Sequence, residues 1–277
     1  MAPRRRANAS VSEPKFDRNT RIEDLLGTEL FRDASELIIA GIRKSSRICS
    51  LKANRRLYTT RKNRRTRERV DFIYVILDGH VAIWVPSCFD SNQEVFLAWR
   101  GPQQILGELK EIGAKPSTTR ITTCDECKFI EIKLASFLEF AAKDSSLYRN
   151  VAHLLSRKIL NEGHRSEVVQ MASVTRKVAQ TLIHLAQERC KDFSDSQIEL
   201  EIPGVMRQGE IAAYAGIPRR ETVNKELNDF RDQGFINYSG KRGSRITISN
   251  LPELRRIVES KGRNRSQTAT ENSNGND

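Results

Sequence analysis

The chain has 277 residues, room for two domains with sizeable cores. Its 47 Lys+Arg stand against 35 Asp+Glu, a net charge of +12 with a pI of about 9.7, and such a balance favours a polyanionic partner, nucleic acid or an anionic membrane surface. No apolar run approaches the ~20 residues of a spanning helix, Met1 to Phe16 lacks the apolar core of a secretory signal, and five cysteines without framework spacing fit a reducing cytoplasm; no membrane partner is expected.

Residues 1–19 are polar, contain Pro and lack periodicity, so a disordered basic tail is expected. Short helical patterns follow, with Ile22, Leu25 and Leu26 and then Leu37, Ile38 and Ile42. From residue 49 to 132, RRLYTT, VDFIYVILDGHVAIWV, EVFLAWRG and STTRITTCDECKFIEIK are rich in β-branched and aromatic residues, with Gly, Pro or Asn between them. Many short strands in so few residues indicate a small antiparallel roll or barrel. The Arg-rich segment 55–69 (RRLYTTRKNRRTRER) reads as a solvated loop; the alternative is a second anionic contact, to DNA flanks, RNA polymerase or a phosphorylated ligand.

Residues 134–172 read as helical, with Phe137, Phe140 and Ala141, then Leu147, Val151, Leu154, Leu155 and Ile159. Gly163 interrupts them, a break worth ~1 kcal/mol against Ala, so a bend or hinge is expected there. Thr175 to Glu188 forms a further helix with Val178, Leu182 and Leu185 inward, KDFSDS a turn, and QIELEIP a strand. LPELRRIVES closes the folded part as a short helix.

Gln208 to Phe235 (QGEIAAYAGIPRRETVNKELNDFRDQGF) fits two short amphipathic helices joined by a tight turn. The first carries Ile211, Ala212 and Ala215 and stops at Gly216, which tolerates a left-handed exit. Pro218 suits the first turn of the second, which places Val223, Leu227 and Phe230 on one face. Its other face begins with Arg219, Arg220, Glu221 and Thr222, followed by Asn224 and Lys225, a set able to read base edges in a major groove. FINY and RITIS then flank a turn of Ser, Gly, Lys and Arg, a basic hairpin that sets Lys241, Arg242 and Arg245 against phosphate. Motif chemistry gives guanine readout to Arg220, cytosine N4 acceptance to Glu221, and a second base or phosphate contact to Lys225.

RRETVNKELNDFRDQGFI with its Gly-rich wing, together with EIAAYAG, resembles the DNA-binding domain of the cyclic-AMP receptor and fumarate–nitrate regulator (Crp/Fnr) family of bacterial transcription factors. The turn from Gly216 to Glu221 is one residue longer than usual in that family, which leaves guanine readout open between Arg219 and Arg220. FIYVILDGHVAIW resembles the family's sensor hairpin, with Gly79 at its required glycine. The resemblance implies an α+β chain: a cyclic-nucleotide-binding-like β-roll over 20–143, a dimerisation helix over 144–173, a winged helix-turn-helix over 174–260 and a disordered tail over 261–277. It further implies a cytoplasmic homodimer on a palindromic double-stranded operator, with RNA polymerase as a further partner. The alternative is a ligand-independent architectural DNA-binding protein whose roll only supports the dimer.

GEL at Gly107, Glu108 and Leu109 resembles the start of the family's phosphate-binding cassette, but its phosphate-clamping Arg position falls near Ser117 and its neighbour near Thr118. Arg120 lies three residues on from Ser117, and the base-contacting pair falls near Glu162 and Gly163. Cyclic AMP is therefore disfavoured, and the effector stays unnamed. Cys124 and Cys127 have C-x-x-C spacing without a second pair, so thiols rather than a metal site are expected, and His80 reads as structural. No P-loop, G-x-S-x-G or H-E-x-x-H occurs, and no enzymatic activity is expected.

Overall fold

The computed structural model describes residues 15–17, 22–62, 68–87, 93–108, 119–190, 193–194, 199–204, 206–239 and 245–260. In chain order it begins with β1 (Lys15–Asp17), α1 (Ile22–Leu26), a 3-10 turn (Glu29–Phe31), α2 (Glu36–Ser45), β2 (Ser46–Leu51), β3 (Arg56–Leu57) and β4 (Thr60–Lys62). Then come β5 (Arg69–Asp78), β6 (Val81–Pro86), β7 (Glu94–Arg100), β8 (Ile105–Leu106), β9 (Arg120–Thr123), β10 (Cys127–Lys133), α3 (Leu134–Ala141) and α4 (Ser145–Gln170). The remainder is α5 (Val174–Arg189), β11 (Leu200–Ile202), α6 (Gln208–Tyr214), α7 (Arg220–Asp232), β12 (Ile236–Ser239), β13 (Arg245–Ile248) and α8 (Leu251–Glu259). The chain divides into two compact units, Met1–His164 with Gly204–Tyr214, and Arg165–Pro203 with Ala215–Asp277.

The first unit holds the β-roll. One sheet runs β1-β2-β10-β5-β4 with β8 also on β5, a second runs β3-β9-β6-β7, and every pairing between described strands is antiparallel. β1 arises inside the polar segment for which disorder was expected. β5 contributes to two cores at once: Ile73 and Val75 join Leu25, Leu30, Phe31, Ile42, Phe137 and Leu147, while Phe72, Tyr74 and Ile76 join Val81, Ile121 and Phe129. Alternating residues of one strand point to opposite faces, so a strand covered on both sides must be apolar at every step, as FIYVI is. β10 does the same with Ile130 and Ile132 against Cys127 and Phe129.

Gly79 turns the chain from β5 into β6 at φ +81°, where a Cβ would collide with the Glu126 carbonyl and the Cys127 Sγ. Only glycine enters that region without strain. Where the apolar lining of the roll runs out, Glu131 is buried with its carboxylate saturated: Oε1 accepts from Arg47 Nε at 2.6 Å, and Oε2 accepts from Arg61 and from the Tyr74 hydroxyl. A buried carboxylate persists only when paired and hydrogen-bonded in this way. α4 continues through Gly163 as one helix, so its helical hydrogen bonding outweighs the ~1 kcal/mol preference of glycine for freedom.

In the second unit, α5 buries Val178, Leu182 and Leu185 completely and packs with α8, where the Arg176 Nε donates to the Val258 carbonyl at 2.8 Å. Ser173 caps α5, and Asn250 caps α8 by accepting from Glu253 N at 3.2 Å. β11, β13 and β12 form a three-stranded antiparallel sheet in that order.

Candidate nucleic-acid interface and roll interior

α7 is amphipathic, and its apolar positions decide which face is left for a ligand. Val223, Leu227 and Phe230 are fully buried, so the opposite side of the helix is free. Arg219 is the N-cap residue and α7 starts at Arg220, so Pro218 precedes the cap rather than entering the first turn. The spacing of Pro218 fits either position. Arg219, Arg220, Glu221 and Lys225 are exposed, and Thr222 and Asn224 are half-buried. Arg220 and Asn224, and likewise Glu221 and Lys225, are one helical turn apart and share faces.

The Arg220 Nε donates to Glu221 Oε1 at 3.0 Å. Hydrogen bonding to its own backbone amide, and then to the Arg220 guanidinium, holds Glu221 below the ordinary carboxylate range. Glu221 is therefore ionised and only an acceptor at neutral pH, and both side chains are more than 70 % exposed. α6 ends as expected, with Gly216 in the left-handed region at φ +64°.

The wing is present as a hairpin: Ile236, Asn237, Tyr238 and Ser239 pair with Ile248, Thr247, Ile246 and Arg245. Lys241 and Arg242 lie outside the described residues. Arg245 is exposed and meets Glu201 Oε1 at 3.1 Å. An exposed pair of this kind is worth under ~1 kcal/mol, so a phosphate can displace the carboxylate.

Sequence reasoning missed one feature of the first unit. Glu210 of α6 is 3 % exposed and accepts from the Trp99 indole of β7 at 3.1 Å, and Tyr214 stacks on Trp99 with ring centroids 5.3 Å apart. The signal lay in the i, i+4 spacing of Glu210 and Tyr214, which shares the helix with the apolar positions read as its buried face. The aromatic run continues through Phe96 to Trp84, over whose ring the Arg120 guanidinium sits.

Of the residues expected to meet an effector, Glu108 and Arg120 are engaged by other residues of the chain. Gly107 takes φ +91°, and Glu108 is buried with its carboxylate 2.5 Å from the Lys158 ammonium of α4, which also donates to the Ile105 carbonyl at 2.7 Å. Burial lowers the Lys158 pKa against the opposing pull of Glu108. Arg100, also buried, donates to the Trp99 carbonyl and approaches Glu162 at 3.5 Å. Arg120 forms an ion pair with Glu94 at 2.8 Å. A crevice of about 10 Å³ remains between Gln104, Leu154, Arg157, Lys158 and Asn161, the room of one water molecule. Leu109, Ser117 and Thr118 lie outside the described residues.

Cys124 and Cys127 are both buried; the Cys127 thiol donates to the His80 carbonyl at 3.2 Å, and burial pushes its pKa up. A thiol that resists ionisation is a poor nucleophile and a poor metal ligand. Asp125 meets His80 Nδ1 at 3.1 Å, and among the described residues no three His, Cys, Asp or Glu side chains converge as a ligand set.

Comparison with known proteins places this geometry. The Crp-like helix-turn-helix domain matches residues 176–257. The CRP-like cAMP-activated global transcriptional regulator of Mycobacterium tuberculosis is 27 % identical over 186 residues, 67 % of this chain and 79 % of that protein. The cAMP-activated global transcriptional regulator CRP of Salmonella typhimurium is 24 % identical over 63 % of this chain and 80 % of its own. Among solved structures, FixK2 of Bradyrhizobium japonicum shares the fold with a TM-score of 0.59 at 16 % identity, covering 78 % of this chain and 99 % of that one. A CooA variant from Carboxydothermus hydrogenoformans follows at 0.57 and 16 %, covering 88 % and 98 %. The chain therefore carries a Crp-like helix-turn-helix domain together with a β-roll, and is similar over most of its length to transcription regulators of the Crp/Fnr family.

Proposed function

We propose that this protein is a cytoplasmic homodimer that reads a palindromic operator with α7 and whose effector is not cyclic AMP. The observation that carries the DNA reading is the outer face of α7: Arg220 and Glu221 are exposed and held against each other, and Glu221 is ionised. Arg220 donates two bonds to guanine O6 and N7, Glu221 accepts from cytosine N4, and Lys225 reaches a further base or a phosphate. Arg219 and the wing residues Lys241, Arg242 and Arg245 grip phosphate.

Dimerisation is supported by α4, where Ile159 and Leu160 are 72 % and 64 % exposed while Leu154 is buried in the core. A second copy of the same helix would cover that wet apolar surface, and paired recognition helices demand half-sites one turn apart, ~34–36 Å. The curated relatives are named for activation by cyclic AMP. In this chain Glu108 is held by Lys158 in a buried pair and so is not open to a sugar, while Arg120 is paired with Glu94.

The test is binding-site selection followed by Arg220→Ala. The variant should lose ~1–3 kcal/mol of specific binding and relax selection at a single base pair of each half-site. Uniform weakening across all sequences would remove base reading from Arg220. Calorimetry with cyclic AMP should give no binding tighter than ~1 mM; a micromolar isotherm would overturn that part alone.

A further inference from the structure

The net charge of this chain is not spread over it, nor is it concentrated in the helix-turn-helix. Residues 43–69 hold nine Arg and three Lys against the single Glu68, a net +11 out of the chain's +12. Of these, Arg64, Arg65 and Arg67 lie outside the described residues.

Sheet register gathers the described cations at one end of the roll. Arg43 and Lys44 occupy the last turn of α2, which feeds directly into β2 at Ser46. Ser46 pairs with Ile132 of β10, so the next residue, Lys133, continues that end of the sheet. Lys133 in turn pairs with Phe72 of β5, and Arg69 opens β5 three residues earlier, ~10 Å along the strand. Arg43, Lys44, Arg69 and Lys133 are all exposed, and among the described residues none of them makes an ion pair. The acids of the neighbouring strands are spent: Glu131 is buried and holds Arg47 and Arg61, and Asp71 accepts from the Thr60 hydroxyl. Glu68, beside Arg69 in the chain, offsets one positive charge at most.

Uncompensated exposed cations repel one another and disfavour the compact state. A surface that keeps four of them against one acid favours an anion from outside. Among the described residues, the exposed large hydrophobic side chains are Leu26, Leu37, Tyr58, Val95, Tyr148, Ile159, Leu160 and Val169, and none is a chain neighbour of these four cations. A protein partner would need such an anchor; a phosphodiester backbone needs only charge and donors.

We propose that this end of the β-roll is a second DNA-contacting surface, which binds the backbone of duplex DNA beyond the bases read by α7. It carries no sequence information, and it acts through counterion release. Its existence does not depend on the base assignments made for α7.

The experiment measures binding of the full chain to a 20-base-pair and a 60-base-pair duplex, each centred on a selected site, across a salt series. Wild type should show a steeper salt dependence on the long duplex. Arg43→Gln, Lys44→Gln, Arg69→Gln and Lys133→Gln combined should remove that excess, up to about 3.6 per protomer and so about 7.2 for the dimer in the slope of log K against log salt, and leave the 20-base-pair affinity unchanged. Lys52→Gln with Arg56→Gln removes exposed charge from the other end of β2 and from β3, and should keep the length effect. Should the quadruple variant fold poorly, the pairs Arg43→Gln/Lys44→Gln and Arg69→Gln/Lys133→Gln should each remove about half.

A wild-type slope independent of duplex length, or a quadruple variant that keeps the length effect, overturns the proposal. Loss of the effect in the Lys52/Arg56 control overturns it too, because bulk charge would then suffice. Arg220→Ala separates the two functions: it should relax selection at a single base pair of each half-site and retain the length effect. Absence of sequence discrimination in wild type would count against α7 alone.

Discussion

Glu108→Gln keeps the shape of its side chain and removes its charge, leaving the Lys158 ammonium buried without a counter-ion. Breaking a buried ion pair from one side costs ~3–5 kcal/mol. Lys158 keeps the Ile105 carbonyl at 2.7 Å as an acceptor, and 15 % of its side chain remains in solvent. The lower end of the range applies, about 3 kcal/mol. With a urea slope of ~1–3 kcal/mol per molar, the unfolding midpoint of the roll should fall by ~1–3 M, read by circular dichroism. Glu108→Leu with Lys158→Met replaces the pair by apolar groups of similar volume and should recover to within ~1 kcal/mol of wild type. Linkage fixes the pH dependence. Burial depresses the folded pKa of Lys158 and Glu108 opposes it, so without Glu108 the folded pKa falls further. The deficit of Glu108→Gln at neutral pH is therefore relieved as pH rises through that lowered pKa toward the unfolded value of 10.5. A Glu108→Gln protein within ~0.5 kcal/mol of wild type, or a double variant no better than the single, would refute the view that this pair closes the roll.

Ile159→Glu with Leu160→Glu should yield a folded species near the 31.6 kDa chain mass in sedimentation, with palindromic DNA held only at ~10⁻⁴–10⁻⁶ M; a persistent dimer would move the interface off α4. Asp144 accepts from Ser146 Oγ and N and from Ser35 N, and these bonds lower its pKa from 3.8 to about 2. Its stabilising effect relative to Asp144→Asn should be complete above about pH 4 and disappear as pH falls toward 2 in acid unfolding curves. Gly79→Ala should destabilise the roll by at least ~2 kcal/mol in the same urea assay, the left-handed backbone and the clash with the Glu126 carbonyl acting together.

The helix-turn-helix was legible because its signals are local. Val223, Leu227 and Phe230 recur at helical spacing within eight residues, and Gly216 marks the exit of α6 by backbone conformation alone. The roll was legible as a class and opaque in its wiring. The unbroken apolar run in β5 says that both faces are covered, but not that β10 lies beside it or that β8 pairs with its middle, at Tyr74 and Val75. The interior was less readable still. Lys158 reads as one more polar position of a long helix, and its partner stands 50 residues away on a different element. Arg120 sits on a strand whose alternation leaves its direction open; Glu94 and the Trp84 ring, both distant in sequence, decide it.

Trp84 and Trp99 are the chain's two tryptophans, and both belong to the aromatic run that ends on Tyr214 of α6. The tryptophan emission of the protein therefore originates from one place. Trp99 is 3 % exposed, its ring stacked and its indole N–H bound to Glu210, an environment that favours a blue-shifted, well-shielded signal. Any event that draws α6 away from β7 removes that stacking partner and admits water to the indole, whereas α7, the wing and α8 contain no tryptophan and add no emission of their own under tryptophan-selective excitation. An unlabelled titration with DNA thus separates motion of the first recognition-motif helix from everything the second one does.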